Sequence, residues 1–199
     1  MSGIDPREEG TRTMAAIAAG DRSALISLME RHARGLRSIA ARYLGSEEEA
    51  EEIVQDVFLK AWRNAARYDA RKAAVSTWLY RIAINLCIDR RRSLALRQFV
   101  GLDAAGGEDT LPDISPGAEA LMDGRSRLVL TRRALLRLPA RQRMAVLLAS
   151  VAELSTREIA EVLETSEGSV EQLLVRARRR LREELDDTMG DWESTGGSR

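Results

Sequence analysis

Apolar residues recur at intervals of three and four along most of the chain, and the intervals break at a few short polar or glycine-bearing stretches. Leu25, Leu28, Met29, His32, Leu36, Ile39, Ala40 and Tyr43 line one face of a helix that Asp21 is placed to cap and that breaks near Gly45. Ser46 and Glu49 have capping-box spacing, with Glu47 and Glu48 also at the positive end of the next helix dipole. That second helix carries Ile53, Val54, Val57, Phe58, Ala61 and Trp62. Residues 64–75 show no apolar period. Ser76 or Thr77 then caps a third helix, with Leu79, Ile82, Ala83 and Leu86 on one face and Arg81, Asn85, Asp89 and Arg92 on the other.

From Leu94 to Gly124 the pattern fails, and Gly101, Gly106, Gly107, Pro112, Pro116 and Gly117 mark a segment too poor in apolar residues to build a core. Beyond it Leu128–Leu138 is helical, Pro139 suits the first turn of the next helix, and Met144, Val146, Leu147 and Leu148 supply its buried side. Ser155 and Glu158 form another capping box, opening a short helix with Ile159, Ala160 and Leu163. Glu164, Thr165 and Ser166 make a tight turn, and a last helix from about Glu167 sets Val170, Leu174, Ala177 and Leu181 toward the core. Short helix, tight turn and long basic helix form a helix-turn-helix pattern, a unit that reads duplex DNA.

The pattern predicts an all-α protein of two small helical domains: a tail over 1–20, a first domain over 21–93, a flexible acidic linker over 94–126, a helix-turn-helix domain over 127–185 and an acidic tail over 186–199. Composition agrees, since aromatics are only 4% of the 199 residues and helix formers dominate. The one cysteine, Cys87, has no disulfide partner in the chain, and with a single His32 it makes no metal-ligand cluster, so neither metal nor cofactor is expected. His32 reads as packing or surface. No apolar run approaches the roughly 20 residues that span a bilayer, and Met1–Gly10 is polar and unlike a signal peptide. A soluble, cytoplasmic protein without membrane insertion is expected.

Charge is balanced overall, with 31 basic and 31 acidic residues, but it is segregated along the chain. Arg127–Arg182 holds 12 Arg against 6 Glu, a net of +6, whereas Leu94–Gly124 holds 1 Arg against 6 acids, a net of −5. A basic DNA-reading surface beside acidic connectors follows. In a helix-turn-helix the second helix puts its N-terminal residues against base edges, which selects Ser169, Glu171, Gln172, Leu173 and Arg176. Arg178, Arg179 and Arg180 continue toward the helix end, where they meet phosphates or simply complement the dipole. Gln172 suits adenine, Leu173 a thymine methyl, and Glu171 the amino group of cytosine, although phosphates repel its carboxylate.

The run from Ala50 through Glu51, Glu52, Ile53, Val54, Gln55, Asp56, Val57, Phe58, Leu59, Lys60 and Ala61 to Trp62, then Thr77-Trp78-Leu79-Tyr80-Arg81-Ile82-Ala83-Ile84-Asn85 with Asp89-Arg90-Arg91-Arg92, resembles the first conserved domain, region 2, of the extracytoplasmic-function (ECF) sigma factors of the sigma-70 family. Leu138-Pro139, Arg143, Glu158-Ile159-Ala160, Gly168-Ser169-Val170 and Arg176-Ala177-Arg178 resemble their second, region 4. The resemblance implies a dissociable specificity subunit of bacterial RNA polymerase and not an enzyme. It implies that Glu52, Gln55, Asp56 and Leu59 dock on the clamp helices of the largest subunit of core polymerase, while Val54, Val57, Phe58 and Trp62 read as core. It further implies that the third helix and the loop Arg67–Lys72 meet the promoter −10 element and help to open it, with Arg81, Asn85, Asp89 and Arg92 as the polar contacts. Opening must be offset by binding the exposed strand, which takes cations and a pocket or stacking surface. Trp78 and Tyr80 read as packing residues. The second domain then reads the −35 element around Ser169–Arg176, with Arg180 further along the same helix. An anti-sigma factor is an implied partner. The family's linker threads the polymerase's RNA exit path, where acidic charge suits a basic channel; a soluble tether explains the same acids.

The sequence departs from the family pattern in three places. Val75 replaces an aromatic, Glu164 replaces a glycine and so adopts a left-handed conformation or alters the turn, and Glu171-Gln172-Leu173 replaces Lys-Ser-Arg at the reading head. Promoter preference therefore does not transfer from relatives. A regulator with a ligand-sensing first domain leaves both region 2 motifs unexplained, and an enzyme lacks any glycine-rich phosphate loop or metal spacing. A further mode within the family has the two domains clasped together or occluded by an inhibitor until a signal arrives. The acidic tail Asp186–Arg199 either shields the basic domain or is an inert solvated end.

Overall fold

Asp21 accepts from the backbone N–H groups of Ser23 and Ala24 at 2.8 and 3.2 Å, starting the helix that the first apolar stripe predicts. The structure, a computed structural model, describes residues 6–100 and 125–196, and among the described residues every regular element is a helix. In chain order these are α1 (Pro6–Ala18), α2 (Arg22–Leu44), α3 (Glu47–Asn64), a 3-10 turn (Ala65–Arg67), α4 (Val75–Val100), α5 (Arg125–Arg137), α6 (Ala140–Ser150), α7 (Thr156–Leu163) and α8 (Glu167–Gly196). Gly45 ends α2 at φ 83°, a left-handed cap that glycine adopts without a Cβ penalty.

Four helices make the first half. Leu28, Leu36, Ile39 and Tyr43 of α2, Ile53, Val57 and Phe58 of α3 and Leu79, Ala83 and Cys87 of α4 are buried together. The expected tail over 1–20 is instead helix α1, whose Met14 and Ile17, three residues apart on one face, sit in that core. Two caps also differ from expectation. Neither Ser76 nor Thr77 caps α4: the Trp78 N–H bonds to Ala74 O at 3.0 Å, because burying Val75 draws the start upstream and leaves Thr77 buried within the first turn. At α3, Ser46 Oγ accepts from Glu49 N at 3.2 Å, but Glu49 turns its carboxylate to Arg90 at 2.6 Å, so the reciprocal half of that box is absent.

In the second half, Leu135, Leu138, Met144, Leu147, Leu148, Ile159, Val162, Val170 and Ala177 form the core beneath α5–α8. The expected linker over 94–126 loses both ends to helices α4 and α5, and its residues 101–124 lie outside the described residues. The expected tail over 186–199 continues α8 as helix to Gly196, with 197–199 outside the described residues. The halves pack on each other directly: the end of α2 meets α5 and α6, α4 meets α7, and the two cores join in one apolar cluster. No helix among the described residues is long and apolar enough to cross a membrane.

Candidate nucleic-acid interface

Ser155 opens α7 with a complete capping box: its Oγ accepts from Glu158 N at 3.3 Å, while Glu158 Oε2 accepts from Ser155 N at 2.8 Å. The α7 C-terminus closes on Glu164 in the left-handed region, φ 51° and ψ 52°, with its N–H on Ala160 O. The turn is therefore kept and strained, not altered. Ser166 then caps α8, accepting from Ser169 N at 3.2 Å. Burial of Val170 and Ala177, with Leu174 and Leu181 half-buried beside them, fixes the rotation of α8.

At about 100° per residue, Ser169, Gln172, Leu173, Arg176 and Arg180 fall on one stripe of α8. All are exposed except half-buried Leu173. Ser169 shares a 2.8 Å hydroxyl contact with Ser166, and Arg176 donates to Gln172 Oε1 at 3.5 Å. Glu171 is exposed too, but lies roughly 150° round the helix from the middle of that stripe, with Val175 and Arg178. The stripe is thus polar and cationic without the carboxylate.

On α4, Arg81 is half-buried against the other half of the molecule, donating to Glu161 O and pairing with Glu164 Oε1 at 3.4 Å. Asn85 and Arg92 are exposed and line a groove of about 620 Å³ between the halves, with Arg91, Arg141 and Glu164 and an apolar floor that includes Ile88 and Met144. Asp89 is exposed and stands 4.0 Å from Arg92. The loop before α4 is tied by Asp69, whose carboxylate takes Arg71 N, Nε and Nη2 at 3.0 Å each. Those bonds hold its pKa down at about 2. Trp78 packs edge-on against Tyr68 at 5.6 Å, and Tyr80 lies against the core, as expected of packing residues.

On α3, Gln55 is exposed, Asp56 half-buried and Leu59 46% exposed, a large apolar side chain left in solvent. Glu52 is exposed and held by Arg90 at 2.7 Å. Val57 and Phe58 are core, with Val54 and Trp62 packed at its edge.

The order of the two halves matches known proteins. The Sigma-70 region 2 family matches residues 28–97, and the Sigma-70 region 4 family matches residues 128–181. The ECF RNA polymerase sigma factor SigM of Mycobacterium tuberculosis is 38% identical over 170 residues, covering 84% of this chain and 80% of its own. SigW of Bacillus subtilis is 32% identical, covering 86% and 94%. The chain belongs to the ECF sigma factors. The solved structure of CnrH in complex with the cytosolic domain of CnrY superposes on this sigma factor with a TM-score of 0.67 at 25% identity, over 92% of this chain and 99% of that one. RpoE in complex with the anti-sigma factor NepR from Bartonella quintana gives 0.63 at 25% identity, over 80% and 95%.

Three arginines of this sigma factor carry contacts that periodicity and spacing did not assign. Arg90 bridges Glu49 and Glu52 and ties α4 to α3. Arg143, buried, donates to Tyr43 O at 2.8 Å across the two halves, and Arg132 donates to Gly45 O. Arg143 is among the residues that resemble region 4, and an arginine bordering the apolar run Met144–Leu148 is a second signal that could have found it.

Proposed function

We propose that this sigma factor binds core RNA polymerase through the α3 surface and positions it at promoters by reading the −10 element with α4 and the −35 element with α8. The observation that supports it best is the α8 stripe: a rigidly capped helix whose buried side is fixed by Val170 and Ala177 leaves Ser169, Gln172, Arg176 and Arg180 in solvent together. Helix N-terminus, hydroxyl, amide and guanidinium groups in that order are what phosphate positioning and base-edge readout require. Leu59 and Gln55, exposed on α3 beside Asp56, supply an apolar contact with a polar rim for the clamp helices, Glu52 extending it. Asn85, Asp89, Arg92 and, once released from α7, Arg81 supply the groups that hold an opened strand.

The protein acts by binding and not by covalent chemistry, and works in the cytoplasm where core polymerase and DNA are. An anti-sigma factor controls it. The solved relatives CnrH and RpoE in complex with CnrY and NepR support that partner. The test is reconstitution: core polymerase with the purified protein on genomic DNA, followed by sequencing of transcript ends. Start sites sharing two spaced upstream elements are expected. Transcription no greater than with core alone overturns the reading.

A further inference from the structure

Glycine forms helix poorly, yet Gly10 stands inside α1 at a position that no turn or positive φ requires. Gly10, Met14 and Ile17 follow at intervals of four and three, so they share the inner face of α1. Met14 and Ile17 sit in the core, whereas Gly10 meets the segment that leads into α4. A Cβ on Gly10 would come within 2.7 Å of Val75 Cγ2 and 3.6 Å of the Tyr68 hydroxyl. The α1 backbone thus lies against both ends of the loop 68–74, and a side chain at residue 10 would not fit without displacing Val75.

Both neighbours of Gly10 hold that loop. Tyr68 donates its hydroxyl to Ala73 O at 3.0 Å, spanning the loop, and Trp78 packs edge-on against its ring at 5.6 Å. Val75 is the first residue of α4 and is buried, as are Ala65 and Ala73. Between these anchors Arg67, Arg71 and Lys72 are exposed. The Lys72 N–H on Asp69 O at 3.0 Å and the Arg71 bonds to Asp69 fix the shape of the turn but not its direction from the fold. Direction comes from what Tyr68 and Val75 rest on, and α1 backs both of them.

Helix α1 is itself firmly placed. Glu9 pairs with Arg31 of α2 at 2.8 Å, and the Gly20 and Asp21 N–H groups close the α1 C-terminus on Ile17 O and Ala16 O at 3.0 Å each. Val75 replaces the aromatic of the family pattern, a smaller side chain where α1 passes, so this seat belongs to this chain's own pairing of residues 10 and 75.

We propose that α1 is a positioning element for promoter opening: through Gly10 it seats Tyr68 and Val75, and so aims Arg67, Arg71, Lys72 and the start of α4 at the strand to be opened. This role rests on the −10 reading proposed above. Opening is offset by groups that grip the exposed strand in one geometry, so a displaced seat slows opening and leaves the binding of core by α3 as it was. The test is core polymerase reconstituted with full-length wild type, Gly10→Ala, Val75→Ala and the double variant. The template is a promoter taken from the transcript ends, used as a duplex and with its −10 region mismatched so that it is already open. Permanganate reactivity of thymines in the −10 element follows opening, and titration follows affinity for core. Gly10→Ala is expected to open the duplex about tenfold more slowly, with affinity for core unchanged and normal initiation on the mismatched template. In the double variant the space vacated at residue 75 takes the methyl added at residue 10, and most of the loss should be recovered. A general loss of folding would instead lower core affinity and both templates together, and adding Val75→Ala would deepen it. If Gly10→Ala fails to fold by circular dichroism, Val75→Ala alone carries the test, with slower opening of the duplex and normal initiation on the mismatched template expected. Wild-type opening by the folded single variant, a deficit equal on both templates, or a double variant no better than Gly10→Ala overturns the positioning role. Failure of the wild-type chain to open any promoter overturns it as well, but through the −10 reading, and is seen without any variant.

Discussion

At the residue scale, the DNA-reading role proposed for the α8 stripe separates positioning from readout. Arg176 is exposed, carries its charge on a long side chain and bonds only weakly to Gln172. Arg176→Ala is expected to weaken promoter binding about equally across sequences and to lower the slope of log affinity against log salt by ~1. Gln172→Ala is expected instead to relax preference at a single base pair, by about 1–3 kcal/mol if the amide bonds bidentately. Binding selections on randomised −35 elements distinguish the two, and an unchanged preference removes Gln172 from the reading set. Asp69 tests the loop before α4. Hydrogen bonds from the Arg71 side chain and backbone hold its pKa at about 2, below the ~3.9 of an unfolded aspartate. A depressed carboxylate stabilises the fold above its unfolded value and loses that contribution as pH falls through the folded one. The turn should therefore persist at pH 5, weaken below about 4 and be gone below about 2. Carbon NMR of the Asp69 carboxyl follows this directly, and titration near 3.9 would contradict the bonded turn.

At the scale of the element, most of the fold was written in apolar spacing, because each helix buries one face against a neighbour and needs only a local pattern to do so. Asp21, Gly45, Ser155 and Ser166 mark real boundaries for the same local reason. Helix α1 was hidden because its buried face amounts to Met14 and Ile17, too few positions to define a period. The start of α4 was misplaced because two hydroxyl residues suggested a cap where burial of Val75 decides the boundary. The exposed α8 stripe was legible, since four core positions fix the helix rotation; the engagement of Arg81 was not, since its partner lies 80 residues away. Close packing between elements was equally invisible. Gly35, inside α2, faces the Tyr80 hydroxyl of α4, and a Cβ there would come within 2.7 Å of it. Alanine at a helix interior gains about 1 kcal/mol over glycine, but overpacking costs about 1–3 kcal/mol. Gly35→Ala is therefore expected to destabilise the chain by about 1 kcal/mol, and to stabilise it by a similar amount in a Tyr80→Phe background. Equal shifts in both backgrounds, measured by urea unfolding, would refute the contact.

For the whole molecule, the question is whether two reading surfaces on one chain act together. Linked sites gain avidity only when the geometry lets both engage at once; otherwise the second adds nothing. With α4 packed on α7, Arg81 is bonded to the backbone of the same helix-turn-helix that presents α8, so engaging one element leaves the other out of reach. The free sigma factor should then bind a duplex carrying both elements no more than about twofold tighter than one carrying the −35 element alone, the factor expected from counting sites. Bound to core polymerase, with the halves apart, it should gain on the order of 10²-fold or more from the second element. Titrations of labelled one-element and two-element duplexes, with and without core, measure all of these ratios. A wild-type free chain that already shows the full gain would mean that its halves part at no appreciable free-energy cost, and that the packing of α4 on α7 does not limit its binding to two elements.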